Sequence, residues 1–230
     1  MRKIAIIVAG GTGQRMNSAV AKQFLLLQNK PILYHTLLAF KAADADTALI
    51  VVLPADQVAY WKSLCEKYPE IMLETPHQIV FGGETRFHSS KNGLAAIDSS
   101  QPCLVAIHDG VRPLIQPSTI NKAYDVAADK GNCVVSVSSK DSIRLWDSTA
   151  KAFKSVLRDD VKIIQTPQVF ELNSLQEAFN QPYSPLFTDD ASVMEANGSI
   201  IHLVEGEYTN IKITTPEDLF LAESILAQPK

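Results

Sequence analysis

The sequence predicts an α/β protein: a Rossmann-like, mostly parallel sheet with helices on both faces, plus a projecting β-rich arm. Three observations carry that expectation. Apolar runs of strand length alternate with segments of helical spacing through most of the 230 residues, the pattern of strands joined by crossover helices. The first apolar run, Ile4 to Val8, passes directly into Ala9-Gly10-Gly11, a junction placed where open α/β sheets bind ligands. Between Ser136 and Phe170 the alternation gives way to short segments flanking polar turns, which reads as a β insertion rather than another crossover. A single domain, residues 1–230, is expected, with the arm at about residues 136–170.

Strands are expected at residues 3–9, 48–53, 104–108 and 132–137, where apolar and β-branched residues cluster. Between them, residues 31–43, 55–68, 86–97 and 118–129 have helix-like spacing and composition. In the arm, residues 143–146 and 153–157 flank polar turns at Asp147-Ser148-Thr149 and Arg158-Asp159-Asp160. The α/β pattern resumes with a helix from Thr188, a strand at 200–204 and a last helix opening at Thr215. There Thr215 can cap, Pro216 takes the first helical position, and Glu217 and Asp218 favour the positive end of the helix.

Composition narrows the class. Hydrophobic residues make up 46% and charged residues 20%, a globular balance. A net charge of −4 argues against a nucleic-acid binder, which carries a basic stripe. A polyanionic ligand would therefore need a local cluster of cations. Cys65, Cys103 and Cys133 are far apart and lack metal-type spacing; an odd, sparse count fits a reducing compartment. The N-terminal apolar run is too short for a signal sequence. Nothing approaches the roughly 20 apolar residues of a membrane span. A cytoplasmic protein with no membrane partner is expected.

The loop Ala9-Gly10-Gly11-Thr12-Gly13-Gln14-Arg15-Met16 admits three functional readings. Glycines directly after a strand let backbone N–H groups approach phosphate oxygens. A dinucleotide fingerprint would need a third glycine where Met16 stands, and a Walker-type loop would need Gly-Lys-Ser/Thr, which is absent. The third reading is a nucleotidylyltransferase triphosphate loop, in which a basic residue follows the glycines and a lysine lies a few residues on. Arg15 and Lys22 fit it. A plain β–turn–helix with an exposed arginine is the bland alternative.

Further blocks run along nearly the whole chain. They are Lys22-Gln23-Phe24, Gly82-Gly83-x-x-Arg86-x-x-Ser89-x-x-x-Gly93-Leu94, and His108-Asp109-Gly110-Val111-Arg112-Pro113. Gln165-Thr166-Pro167-Gln168, Thr188-Asp189-Asp190-Ala191-Ser192 and Asn210 through Asp218 follow. With the glycine loop, this ordered set resembles the 2-C-methyl-D-erythritol 4-phosphate cytidylyltransferase family of non-mevalonate isoprenoid synthesis. The resemblance implies a fold of nucleotide-diphospho-sugar transferase type. It also implies attack of a polyol phosphate on the α-phosphorus of CTP with release of pyrophosphate. A phosphate monoester has a second pKa near ~6 and is already a nucleophile at neutral pH. No Ser–His or Cys–His dyad is needed, and the work left is to neutralise charge on the α-phosphoryl oxygens.

By resemblance, Arg15 and Lys22 stabilise the transition state, while Arg158 and Lys212 grip the substrate phosphate and aim it. Ala9, Gly10, Gly11, Gly13, Gly83, Arg86, Ser89, Asp109 and Gly110 would bind CTP. Asp109 would hold Mg²⁺ or another divalent cation bridging the triphosphate, with Asn210 a further candidate ligand. Arg112, Ser142, Thr166 and Thr188 would contact the polyol phosphate. Without the resemblance, Asp109 reads equally as a turn residue, Arg158 as part of a surface salt-bridge cluster, Lys212 as an outward strand lysine and Thr188 as a helix N-cap. The family also implies a homodimer in which each arm packs on the other subunit, so that Ser142 and Arg158 serve the neighbouring site.

The sequence departs from the family at several points. Val8 stands where many members have Pro, Gly10 where Ala is common, and Asp141-Ser142-Ile143-Arg144 for Asp-Thr-Ile-Lys. Val161-Lys162 replaces Leu-Trp, and Ser90 stands for the usual Val, with His88 nearby; neither Ser90 nor His88 has a role at this level. Two rivals stand beside the main reading. The ribitol-5-phosphate cytidylyltransferase family shares the glycine loop, the Gln-Thr-Pro-Gln block and Asn-Ile-Lys, but the Gly-Gly-x-x-Arg-x-x-Ser block favours the methylerythritol enzyme. A non-catalytic nucleotide or sugar-phosphate sensor on the same fold would have no need of transition-state cations.

Overall fold

Alternation within each strand decides which side chains enter which layer. The computed structural model describes residues 1–11 and 20–227. Its strands are β1 (Arg2–Val8), β2 (Leu26–Leu27), β3 (Lys30–Pro31), β4 (Ala48–Leu53), β5 (His77–Phe81) and β6 (Cys103–Asp109), then β7 (Asn132–Ser138), β8 (Arg144–Asp147), β9 (Ala152–Ser155), β10 (Lys162–Glu171) and β11 (Leu203–Glu205). Its helices are α1 (Ile32–Ala43), α2 (Val58–Lys67), α3 (Glu70–Glu74), α4 (Arg86–Ala95), α5 (Pro117–Lys130), α6 (Leu172–Ala178), α7 (Asp190–Ala196) and α8 (Pro216–Leu226).

Seven strands form one sheet in the order β11-β7-β10-β6-β1-β4-β5. Every pairing is parallel except those of β10, which runs antiparallel between β6 and β7. Along β1, Ala5 and Ile7 point to one face and pack with Leu37, Phe40, Trp61 and Tyr124 of α1, α2 and α5. Ile4 and Ile6 point to the other and meet Phe87 and Leu94 of α4, Leu175 of α6 and Met194 of α7. Each fully buried Leu, Ile or Phe stabilises the fold by about 1.5–3 kcal/mol relative to exposure, so both faces hold the sheet. A smaller cluster, including Leu27, Val111, Ile213 and Ala222, seats α8. The expected α/β sheet with helices on both faces is what the chain forms.

The ends of the elements follow local chemistry. Thr85 caps α4 and Thr215 caps α8 in a reciprocal capping box with Asp218. Gly131 closes α5 at φ 82°, the left-handed position glycine fills without strain.

The structure corrects several expectations. The arm spans less than residues 136–170, because Ser136 lies in β7 and Lys162–Glu171 is β10, a strand inside the main sheet. The excursion itself is the β8–β9 hairpin and the turns around it. Pro167 masked β10 in the sequence, since proline cannot donate within a ladder; here it sits where the β10–β7 register shifts between Ile164 and Gln168. β5 went unread because it is a half-exposed edge strand without a continuous apolar run. The helix expected from Thr188 begins at Asp190 with Asp189, not Thr188, as its cap.

Candidate functional site

The chain adds β4 and β5 on one side of β1 and then crosses to add β6 on the other. The crevice at the C-terminal ends of β1 and β6 is therefore the point where strand order reverses, the usual ligand position in open α/β sheets. Val8 and Asp109 end their strands side by side in register. The backbone bonds Ala9 N–H to Val52 O and Gly110 N–H to Val8 O, both 2.9 Å, extend the ladder one residue further.

Asp109 is the centre of this edge. Its carboxylate lies 3.0 Å from Lys212 Nζ, 3.4 Å from Arg112 Nε and 3.6 Å from Arg86 Nε. Burial alone would raise its pKa, but the charges of Arg86, Lys212 and Arg112 overcome burial and hold it well below the usual carboxylate range. Arg86 lies on α4 and its NH2 also pairs with Asp190 at 2.6 Å. Burial disfavours the Arg86 cation, yet Asp190 and Asp109 outweigh that and keep it charged. Arg112 is fixed by a 2.8 Å bond from NH1 to the Asn210 carbonyl.

A second chain of hydrogen bonds fixes the backbone here. His108 is fully buried and burial pushes its pKa down to about 4, although its bond to the Arg112 carbonyl favours the protonated ring. The ring is thus neutral at pH 7. The Arg112 carbonyl, 3.2 Å from Nε2, can only accept, so the proton sits on Nε2. Nδ1 then accepts from the Thr166 hydroxyl at 3.0 Å, and Thr166 Oγ1 accepts from the Asp109 N–H at 3.1 Å. β6 and the bulge of β10 are locked together under Asp109.

Two lobes open on either side of Asp109. One, about 250 Å³, is lined by Ala9, Gly10, Gly11, Lys22, Gly83 and Ser89 among others. The other, about 290 Å³, is lined by Arg112, Gln165, Thr166, Gln168, Thr188 and Asp189 among others. Arg86, Asp109 and Lys212 border both. A Cβ on Gly83 would collide with His88 Cβ and its backbone, so close approach demands glycine there, whereas a Cβ on Gly11 would meet only the flexible end of the Lys22 side chain, 2.8 Å from Cε. The Gly83 N–H donates to Ser89 Oγ at 3.1 Å, which fixes the loop that forms the lobe's far wall.

The candidates from the sequence divide accordingly. Ala9, Gly10, Gly11, Lys22, Gly83, Arg86, Ser89, Asp109, Arg112, Thr166, Thr188 and Lys212 all line the two lobes. Lys212 lies outside any strand and reaches Asp109, so it is not an outward strand lysine. Gly110 lies under the cleft, where a Cβ would meet Ala9 and Leu33 at 2.9 and 3.1 Å; it shapes the floor and borders neither lobe. Ser142 and Arg158 border neither lobe and are exposed around the β8–β9 hairpin, with Arg158 NH1 donating to the Lys140 carbonyl at 3.2 Å. Gly13 and Arg15 lie outside the described residues.

Several supporting residues had no role assigned from sequence. Gln168, fully buried, donates to Asp189 Oδ2 and accepts from the Ala191 N–H, both at 2.8 Å, and so holds the start of α7. Gln23 donates to the Ala9 carbonyl at 2.8 Å and fixes the segment that carries Lys22. Their signal was the presence of amides inside motif blocks that otherwise lie in buried structure.

Fold and cleft together define an α/β protein with a cation-lined, two-lobed site for phosphorylated ligands at the switch point of its sheet. The 2-C-methyl-D-erythritol 4-phosphate cytidylyltransferase (IspD) family profile matches residues 3–228, and the chain belongs to that family. It is 45% identical over 226 residues to the 2-C-methyl-D-erythritol 4-phosphate cytidylyltransferase of Bacteroides thetaiotaomicron, covering 98% of this chain and 100% of that protein. The protein of the same name from Phocaeicola vulgatus is 46% identical over 226 residues, with the same coverage. Among solved structures, 4-diphosphocytidyl-2C-methyl-D-erythritol synthase from Anaerococcus prevotii superposes with a TM-score of 0.82 at 29% identity, covering 99% of this chain and 97% of that one.

Proposed function

We propose that this chain transfers the cytidylyl group of CTP to 2-C-methyl-D-erythritol 4-phosphate, giving 4-diphosphocytidyl-2-C-methyl-D-erythritol and pyrophosphate. The observation that carries the reading is the pair of lobes sharing Arg86, Asp109 and Lys212. A nucleotide in the glycine-lined lobe and a polyol phosphate in the Thr166–Thr188 lobe would meet at that shared border. The acceptor phosphate is already nucleophilic at neutral pH. It attacks the α-phosphorus in line as the bond to the bridging oxygen breaks and pyrophosphate leaves. Lys22 beside Gly11 faces the nucleotide lobe, and Lys212 and Arg112 oppose the repulsion between the two anions. Arg15 is assigned to the same transition-state charge from its motif. Fixed cations in a partly desolvated cleft favour the transition state over the ground state, because charge moves onto the oxygens they face.

A magnesium ion or another divalent cation fits this site. Asp109 is held ionised at the border of both lobes, whereas Asn210, whose Oδ1 is buried without a hydrogen-bond partner among the described residues, lines neither. No group of three His, Cys, Asp or Glu side chains able to hold a metal occurs among the described residues. One carboxylate suits Mg²⁺, which takes its other ligands from phosphate oxygens and water. When bound, the ion supplies charge neutralisation at the triphosphate.

The arm reading is that of a homodimer. Leu145, Trp146 and Phe153 of the hairpin are each more than half exposed, an apolar surface unusual for a free arm, and Ser142 and Arg158 stand beside it. Packing of this hairpin on a second copy would bring both to the partner's cleft. Three unpaired cysteines agree with a cytoplasmic setting. No helix among the described residues is long and apolar enough to cross a membrane.

Pyrophosphate release from purified protein with CTP and Mg²⁺ tests the reading, with methylerythritol phosphate and ribitol phosphate offered separately. Release with the first alone is expected. Release with ribitol phosphate alone reassigns the acceptor, and silence with both in protein that binds CTP turns the chain into a sensor.

A further inference from the structure

Ser90 has no role in the sequence reading and touches no lobe of the cleft. It is fully buried on α4 and its hydroxyl donates to Asp190 Oδ1 at 2.8 Å. Asp190, with 1% of its surface exposed, is the first residue of α7, one hundred positions away. Its other oxygen, Oδ2, lies 2.6 Å from Arg86 NH2. Arg86 opens α4, four residues before Ser90, so one helix presents both the guanidinium and the hydroxyl to the same carboxylate. The carboxylate is fixed from its own side as well. Asp189 caps α7, and Gln168 holds both the Asp189 side chain and the Ala191 N–H.

We propose that Ser90 and Asp190 are positioning residues that aim the Arg86 guanidinium at the border of the two lobes, and that they act on ligand binding through Arg86 alone. This rests on the proposed nucleotide site.

Arg86 has two anions within reach and they are unequal. Asp190 holds NH2 at 2.6 Å, while Asp109 stands 3.6 Å from Nε. A long side chain with several rotatable bonds would otherwise collapse onto Asp109, the more central carboxylate. With the guanidinium anchored on Asp190, Arg86 stays at the border that both lobes share and leaves Asp109 to Lys212 and Arg112. Ser90 finishes the anchor: its hydroxyl satisfies the Asp190 oxygen that Arg86 does not use, which fixes the rotamer of the carboxylate. Burial raises the cost of leaving either oxygen unpaired, so the three groups act as a unit. A simple tether between α4 and α7 would use the same hydrogen bond but would not involve Arg86.

The test is a double-mutant cycle on equilibrium CTP binding, measured by calorimetry on the full chain, with thermal melts of each variant. Ser90→Ala is expected to weaken CTP binding about tenfold, and Asp190→Asn by more, on the scale of hydrogen bonds to charged groups. In an Arg86→Ala background, Ser90→Ala should change CTP affinity by less than about twofold, since coupled residues are non-additive. Equal losses in both backgrounds, or CTP affinity unchanged by Ser90→Ala and Asp190→Asn while melting temperature falls, would overturn the proposal in favour of a helix tether. Wild-type protein that does not bind CTP sinks the functional reading itself. Wild type that binds CTP while the cycle is additive sinks only this inference.

Discussion

The cleft and the β8–β9 hairpin both carry cations paired within the chain, Lys154 with Asp147 at the hairpin, but the cleft's anion is buried and the hairpin's is not. At the cleft, Arg86, Arg112 and Lys212 converge on a single buried carboxylate, and each has a bond that fixes its direction. At the hairpin, Trp146 and Phe153 meet edge to face at 5.1 Å and otherwise face outward, and Leu157 is 74% exposed. Arg158 is tied to a neighbouring backbone carbonyl rather than to any carboxylate. The difference teaches where each region's geometry comes from. The cleft is preorganised by burial and charge pairing inside the chain, whereas the hairpin leaves its large apolar side chains facing outward.

Removal of the cleft's central anion should have the largest effect. Asp109→Asn is expected to lower turnover by roughly a thousandfold, comparable to loss of a key transition-state electrostatic group, as read by pyrophosphate release. A loss under tenfold would mean that the three cations do not depend on Asp109 for their arrangement.

The comparison breaks most cleanly by subunit mixing. On the proposed homodimer, the Lys212→Ala and Arg158→Ala proteins should each fall by roughly a hundredfold. Co-refolded mixtures should recover about a quarter of wild-type activity, because half the dimers are mixed and one of their two sites is intact. No recovery would return Arg158 to its own chain. With less effect on chemistry, Trp146→Ser combined with Phe153→Ser should shift the protein toward monomer in sedimentation while its circular dichroism stays native.

The smallest effect concerns acid stability. His108 is buried neutral with its pKa pushed down to about 4, so the unfolded chain binds a proton more readily. Its contribution is therefore full above the ordinary histidine value and declines as pH falls from about 6.5 toward 4. Proton uptake on unfolding at pH 5 should be smaller in His108→Gln than in wild type. Equal uptake would mean that this ring does not titrate on unfolding.

Much of this was legible in the sequence, for identifiable reasons. β1, β4, β6 and β7 were readable because strands buried on both faces are continuous apolar runs, and α8 because Thr215, Pro216 and Asp218 spell its cap. β10 was hidden by Pro167 and by the polar Gln165 and Gln168, whose amides are buried for hydrogen bonding and not for packing. Lys22, Arg86, Asp109, Arg112 and Lys212 stood in motif blocks and do meet in one cleft. Ser90 and Asp190 were illegible as a pair: one hundred residues separate them, and neither has a local pattern that points to the other. Thr188 was taken for a cap because Thr and Asp are both good N-caps; the backbone chose Asp189 and freed Thr188 to line the cleft.

The most direct test of the account is whether the two lobes are separate binding compartments. Ser89 borders only the glycine-lined lobe and Thr188 only the other. In steady-state kinetics with both substrates varied, Ser89→Ala should raise KM for CTP and leave that for the polyol phosphate within about twofold, while Thr188→Ala should do the reverse, as expected for losses of ground-state binding. A Thr188→Ala enzyme that loses CTP affinity as strongly as polyol phosphate affinity would contradict the division of the cleft at Asp109.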